Sequence, residues 1–208
     1  MDTTFNDCGA NEVSTMTTLV IDLDGTLIDC NSFTEFVKHL FAQLPEARLN
    51  IFSIVLLRKL RLITHLEAKR RIVTIAQKHL QKVNIEKFID KLSTHLRSSL
   101  QRRIDAADRV ILATAAPEIY VIPLARRLGI NEVTATPPDG AENRGTVKLR
   151  NVEKAGVTFD RDTVVITDHY DDLPLFQRNT AGHNILINPS STTLMHLKMA
   201  GISFTVEN

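Results

Sequence analysis

The sequence predicts an α/β protein: a doubly wound, mostly parallel sheet with an inserted bundle of helices. Three observations point there. Short apolar runs, several rich in β-branched residues, recur at 17–23 (TTLVIDL), 109–114 (RVILAT), 163–167 (TVVIT) and 184–188 (NILIN). Helical spacing separates them, which is the alternation of a parallel sheet. Residues 31–105 break that alternation and carry helical periodicity alone. The charge divides in a similar way. Residues 46–103 hold 14 Lys and Arg against 4 Asp and Glu, while the remainder holds 11 against 20, although the 208-residue chain nets only +1. Such an asymmetry suggests two units with different jobs.

Element by element, residues 1–16 read as a polar tail, without the basic and apolar regions of a signal peptide. The first strand, 17–23, runs into Asp-Gly. In the insert, Phe33, Phe36, Val37, Leu40, Phe41 and Leu44 share one helix face, and Pro45 stops that helix. A second helix is expected over 46–62 and a third from Thr64, where Thr64 and Glu67 have the spacing of a capping box. A fourth starts near Asn84 and presents Ile85, Phe88, Ile89, Leu92, Leu96 and Leu100 on one face. The stretch 49–63 is apolar nearly all round, and two-sided packing is expected in preference to membrane contact. After the insert come a strand at 109–114, a helix opened by Pro117 and closed near Gly129, and a short strand at 131–136. A helix follows around 147–155, then the strand at 163–167, a helix containing PLFQR, the strand at 184–188, a helix over 191–200 and an edge strand at 202–206. The expected units are therefore a core of 17–30 and 106–208, and a helical cap of 31–105.

Composition bounds the function. Hydrophobic residues make up 43% of the chain, enough for a substantial core, and no apolar run is long enough for a spanning helix. Two cysteines, Cys8 and Cys30, cannot form a disulfide framework. The default expectation is a soluble cytoplasmic protein.

Working groups in an open α/β sheet gather at the carboxyl ends of its strands. Asp22 and Asp24 follow the first strand, Thr114 ends the second, and Asp168 follows TVVIT, with Asp171 and Asp172 close behind. Lys148 opens the preceding helix. Clustered carboxylates repel one another, and a hard divalent cation relieves that repulsion; carboxylate oxygens and water suit Mg²⁺. A carboxylate shielded in this way can attack phosphorus, splitting a hard hydrolysis into two steps.

Four segments, DLDGTL (22–27), the Thr of ILATAAP (114), the Lys of GTVK (148) and TDHYDDLPLF (167–176), resemble in order the four motifs of the haloacid dehalogenase superfamily. The long helical insert resembles the cap of its phosphoserine-phosphatase-like branch. The resemblance implies a Rossmann-like core and a Mg²⁺-dependent phosphatase acting on a small phosphomonoester through an aspartyl-phosphate. It implies that Asp22 is the nucleophile, Asp24 the general acid/base, and Thr114 and Lys148 the phosphate-holding pair. The metal would be held by Asp22, Asp24, Asp168 and Asp172, and Thr26, Asn31 and Ala115 are the candidate substrate contacts. P-type ATPases of this superfamily carry Thr at the position of Asp24, so the acid there points to hydrolysis. True dehalogenases lack the acidic metal site. His169 and Asp171 stand where relatives often have Ser and Asn. Neutral Asn31 lies near the position of a Glu in phosphoserine phosphatases, which argues against phosphoserine itself.

The basic insert leaves two other readings open. One is the same chemistry on a lipid phosphate, resting on 49–63 and implying peripheral membrane contact. The other is a nucleic-acid- or partner-binding module on a degenerate hydrolase fold; the insert is poor in Tyr and Trp, so stacking platforms are not evident. A basic lid facing an acidic crevice would steer anionic substrates inward.

Overall fold

The computed structural model describes residues 16–208, so the expected tail lies outside the described residues except for Met16, as does Cys8. Six strands form one sheet: β1 (Thr18–Ile21), β2 (Arg109–Pro117), β3 (Glu132–Thr136), β4 (Thr163–Thr167), β5 (His183–Ile187) and β6 (Thr205–Glu207). All pairings are parallel, in the order β3-β2-β1-β4-β5-β6. Strand order reverses between β1 and β4, the place where an open α/β sheet leaves a crevice at its carboxyl edge.

Alternation along the strands builds two cores. Leu19, Ile21, Leu112, Ile166 and Ile185 face one side, under α5 (Ser98–Ala106) and α6 (Glu118–Arg127). Val20, Ile111, Ala113, Val165 and Leu186 face the other, under α7 (Thr146–Lys154), α8 (Leu173–Arg178) and α9 (Ser191–Met199). The sheet is thus doubly wound, as the sequence predicts.

Between β1 and β2 lie α1 (Ser32–Gln43), α2 (Arg48–Lys59), α3 (His65–Lys78) and α4 (Ile85–Ser93). Each start has a local cause except that of α2, which continues from a 3₁₀ turn at Pro45–Ala47. Asn31, Thr64 and Asn84 cap α1, α3 and α4 by accepting hydrogen bonds from the N–H groups of Thr34, Glu67 and Lys87. The insert is fastened to α6. Phe36, Phe88 and Tyr120 form an aromatic triangle with ring centroids 4.9–5.3 Å apart, and Arg127 pairs with Glu86 and Asp90. The apolar core of the insert is continuous with that sheet face.

Two sequence expectations need correction. The single helix from Asn84 through Leu100 is two helices. Between them the chain returns alongside the outgoing strand: Leu96 bridges Ile28, and Arg97 N–H donates to Leu27 O at 3.0 Å. His95 Nδ1 meets Asp29 Oδ1 at 2.7 Å across the same crossing. This non-local pairing interrupts the helix even though the apolar spacing continues, and α5 follows as a separate helix. The segment 49–63 does not pack on two sides. In α2 only Ile51 and Ile54 are buried, while Leu49, Phe52, Val55 and Leu56 are exposed.

Candidate active site

The loop after β1 turns tightly. Ile28 N–H donates to Leu23 O at 3.0 Å and Leu27 N–H to Asp22 O at 3.3 Å, while Leu23, Leu27 and Ile28 sink into the core. Burying those three anchors leaves the Asp22 and Asp24 side chains lining a crevice of about 440 Å³. Thr114, Lys148, Asp168 and Asp172 line it too, so strands β1, β2 and β4 and helix α7 all contribute.

Lys148 sits in the first turn of α7, almost fully buried. Its Nζ lies 3.1 Å from Asp22 Oδ1 and 2.7 Å from Asp172 Oδ1. Burial disfavours its charge, but Asp172 and Asp22 more than offset that and hold it charged. Burial pushes Asp22 up to about 7; Lys148 opposes this, and Asp172, Asp168 and Asp24 add to it. Burial likewise pushes Asp168 up to about 6, against the pull of His169. Asp24 is also raised by burial, opposed by its contact with Ser32, whose N–H donates to Asp24 Oδ1 at 2.7 Å.

These shifts bear on a metal. Carboxylates that stay raised by desolvation despite Lys148 have too little counter-charge, and a divalent cation among oxygen donors supplies more. The backbone makes room for one of those donors. Gly25, at φ +74, lies so close under Asp168 that a Cβ there would sit 2.3 Å from Oδ2. Asp22, Asp24 and Asp168 thus line one crevice with oxygen donors, the chemistry a hard divalent ion takes.

The other expected site residues are placed as follows. Asp172 accepts from Thr167 Oγ1 at 2.7 Å and pairs through its carboxylate with Lys148, so it positions the lysine. Thr26 is fully buried, outside the lining of the crevice, and its Oγ1 reaches Asp168 Oδ1 at 3.5 Å, so it supports that acid. Asn31 lines the crevice, but its side-chain oxygen caps α1, accepting from Thr34 N and Oγ1 at 2.9 and 2.8 Å. Ala115 also lines the crevice, with its carbonyl taken by Lys69 Nζ at 2.9 Å and Thr136 Oγ1 at 2.8 Å. Thr114 Oγ1 accepts from Ala116 N–H at 3.1 Å, leaving its own proton to give.

Other residues were not singled out by sequence. Lys69, on α3, is buried beside the crevice and pairs with Glu142 at 2.5 Å. Its signal was available, because it falls in register with Ile72, Val73 and Ala76 on the buried face of α3. Asn143 is fully buried. Its Nδ2 donates to Thr114 O and Thr134 O at 3.0 and 2.7 Å, tying the loop before α7 to strands β2 and β3. Arg144, on that loop, pairs with Asp171, whose Oδ2 is also 2.8 Å from His169 Nδ1. Among the described residues, Lys69 is the single member of the insert's basic surplus that lines the crevice, and Glu142 offsets its charge. The expected steering by a basic lid is not seen.

Solved structures share this architecture. A protein of unknown function from Bordetella pertussis Tohama I aligns with a TM-score of 0.73 at 20% identity, over 92% of this chain and 99% of its own. A substrate-bound phosphoserine phosphatase complex aligns at 0.59 and 14%, over 93% and 94%. A predicted phosphatase from Clostridium acetobutylicum aligns at 0.60 and 17%, over 94% and 95%. At these identities the likeness is one of fold. Among curated proteins, none matches the chain by sequence. The family model for haloacid dehalogenase-like hydrolases matches residues 19–177, a span that runs from β1 through α8 and contains all of the crevice acids and Lys148. The chain belongs to the haloacid dehalogenase-like hydrolase family.

Proposed function

We propose that this protein is a Mg²⁺-dependent phosphatase that hydrolyses a small phosphomonoester through an aspartyl-phosphate on Asp22. The observation that carries the proposal is the convergence of Asp22, Asp24 and Asp168 with Lys148 at the carboxyl ends of β1 and β4. A Mg²⁺ ion held by the carboxylates of Asp22 and Asp168, with Asp24 offering its main-chain oxygen so that its carboxyl stays free for proton transfer, would neutralise charge on the phosphoryl oxygens and on the acids themselves.

The chain's own groups divide the work. Lys148, 3.1 Å from Asp22, opposes the effect of burial and favours the ionised nucleophile, and it offers positive charge to the phosphoryl group. Thr114 offers its hydroxyl proton to a phosphoryl oxygen. Asp22 attacks phosphorus, the ester oxygen leaves, and Asp24 gives that oxygen its proton. The raised affinity of Asp24 for its proton suits this donor role. Asp24, now a carboxylate, takes a proton from water, which attacks the aspartyl-phosphate and releases inorganic phosphate. Asp172 holds Lys148 in place. Helices α1–α4 act as the cap that excludes water and selects the substrate.

The test is hydrolysis of a panel of phosphomonoesters, including an aryl phosphate, with Mg²⁺ or with chelator. Activity should need the metal and fall by about a thousandfold in Asp22→Asn. An Asp22→Asn protein that works at the normal rate would remove the proposed nucleophile.

A further inference from the structure

Helix α2 presents an apolar stripe to solvent. Leu49, Phe52, Leu56 and Leu60 are spaced by three, four and four residues, so they share one side of the helix and of its C-cap. Leu49 is 81% exposed, and Leu62 just beyond is 67% exposed. Residues 47–66 contain no acid, whereas Arg48, Arg58, Lys59 and Arg61 all fall within them. Among the described residues none of these four cations pairs with a carboxylate. The flanking acids are already engaged, Glu46 with Lys82 and Glu67 with Arg71. Arg48 lies over the ring of Phe41, itself exposed, 5.5 Å from the ring centre.

We infer that the exposed face of α2, with Phe41, Leu60 and Leu62, docks on an anionic lipid bilayer. Apolar side chains would enter the headgroup boundary, and the flanking cations would meet anionic lipid, the arrangement of an interfacial helix. Charge favours this occupant over a second copy of the chain, because a symmetric seam along α2 would gather the same unpaired cations with no acid in the helix to answer them. Insertion across the bilayer does not fit. Among the described residues no single helix is long and apolar enough to cross a membrane. Helix α1, which meets the run through α2 at a bend of 111°, keeps Phe33, Phe36 and Leu40 in the core.

The surface adjoins the crevice. The loop that carries Leu60 and Leu62 leads directly into His65, which lines the crevice and feels the charge of Arg58. Docking would therefore bring the crevice to phosphomonoesters carried on lipid. That consequence rests on the phosphatase reading; the docking itself does not.

The experiment is sedimentation of the full chain with vesicles of phosphatidylcholine alone, or of equal parts phosphatidylcholine and phosphatidylglycerol, across a salt series. Hydrolysis of a soluble aryl phosphate is measured in parallel. Binding should need the anionic lipid and weaken with salt. Arg58→Gln/Lys59→Gln should weaken it by roughly 20- to 30-fold, from about 1 kcal/mol per cation. Leu49→Ser/Phe52→Ser should weaken it at least about tenfold. Both variants should keep wild-type aryl phosphatase activity, which shows that they fold. No binding to anionic vesicles, or equal binding to neutral ones, overturns the inference. So does a dimer that Leu49→Ser/Phe52→Ser dissolves in a chain that ignores vesicles. Binding without any phosphatase activity would remove the phosphatase reading and leave the docking surface standing.

Discussion

Replacing Gly25 by Ala tests the site at its tightest point. The residue is at φ +74, a conformation that costs an L-residue about 1 kcal/mol or more. Its added Cβ would lie 2.3 Å from Asp168 Oδ2 and 2.8 Å from Cγ, where contacts under 3.0 Å do not persist. The obstacle is a carboxylate on a short side chain already held by Thr26, so Asp168 must retreat by at least 0.7 Å, the difference between those two distances. Misplacing a catalytic group by about 1 Å costs on the order of a hundredfold in rate. Gly25→Ala should therefore lower kcat/KM for an aryl phosphate by about a hundredfold and raise the Mg²⁺ concentration giving half-maximal rate. Strain and clash together amount to about 2 kcal/mol, or about 4–8 °C in Tm at this chain length. The assay is a Mg²⁺ titration of initial rates beside a thermal melt. A variant within threefold of wild type, with unchanged metal dependence, would refute the placement of Asp168 over Gly25 and its role as ligand.

Other perturbations should behave as follows. Lys148→Met leaves Asp172 and Asp22 without their cation, so the fold should lose about 3–5 kcal/mol in urea melts and activity should vanish; adding Asp172→Asn should restore stability but not activity. Asn143→Ala removes the ties from the loop before α7 to β2 and β3 and should cost about 2 kcal/mol, with kcat falling more than KM changes. Asp22 and Asp168 bind protons more tightly when folded, up to about 7 and about 6, than at their ordinary value of 3.8. Their contribution to stability is complete below that ordinary value and is lost as pH rises through 6 and 7. Burial lowers His39 and His65, which act in the opposite sense over the same range, so the readout is a difference. In chelator, the Tm of wild type relative to Asp22→Asn/Asp168→Asn should fall between pH 5 and pH 8, and Mg²⁺ should raise the wild-type Tm more at pH 8 than at pH 5. A wild-type Tm that climbs relative to that variant over the window would contradict the raised values.

The sheet and the five groups at its carboxyl edge were legible because strand identity, strand end and residue type are local. Asp22, Asp24, Thr114, Lys148 and Asp168 needed only a parallel sheet to bring them together. What escaped depends on chain segments meeting from a distance. The break after α4 comes from Leu96 pairing with Ile28, and apolar spacing through Leu100 conceals it. Thr26 and Asp172 are the residue types that bind phosphate and metal, yet burial turns one toward Asp168 and the other toward Lys148. Glu142, Asn143 and Arg144 sit in a loop with no periodicity to read. Lys69 did leave a trace, as a cation on the apolar face of α3. The exposure of α2 is not legible in its sequence, because an all-round apolar helix is more often buried than bare.

The central claim is that Asp22 carries the phosphoryl group. The direct measurement is mass spectrometry of acid-quenched protein after reaction with a phosphomonoester and Mg²⁺. Asp24→Asn serves as the trap, since it slows the attack of water on the intermediate. One phosphoryl group should appear on the peptide containing Asp22, labile at high pH and absent in Asp22→Asn. Turnover by a protein that never carries that label, or a label on any other residue, would contradict it.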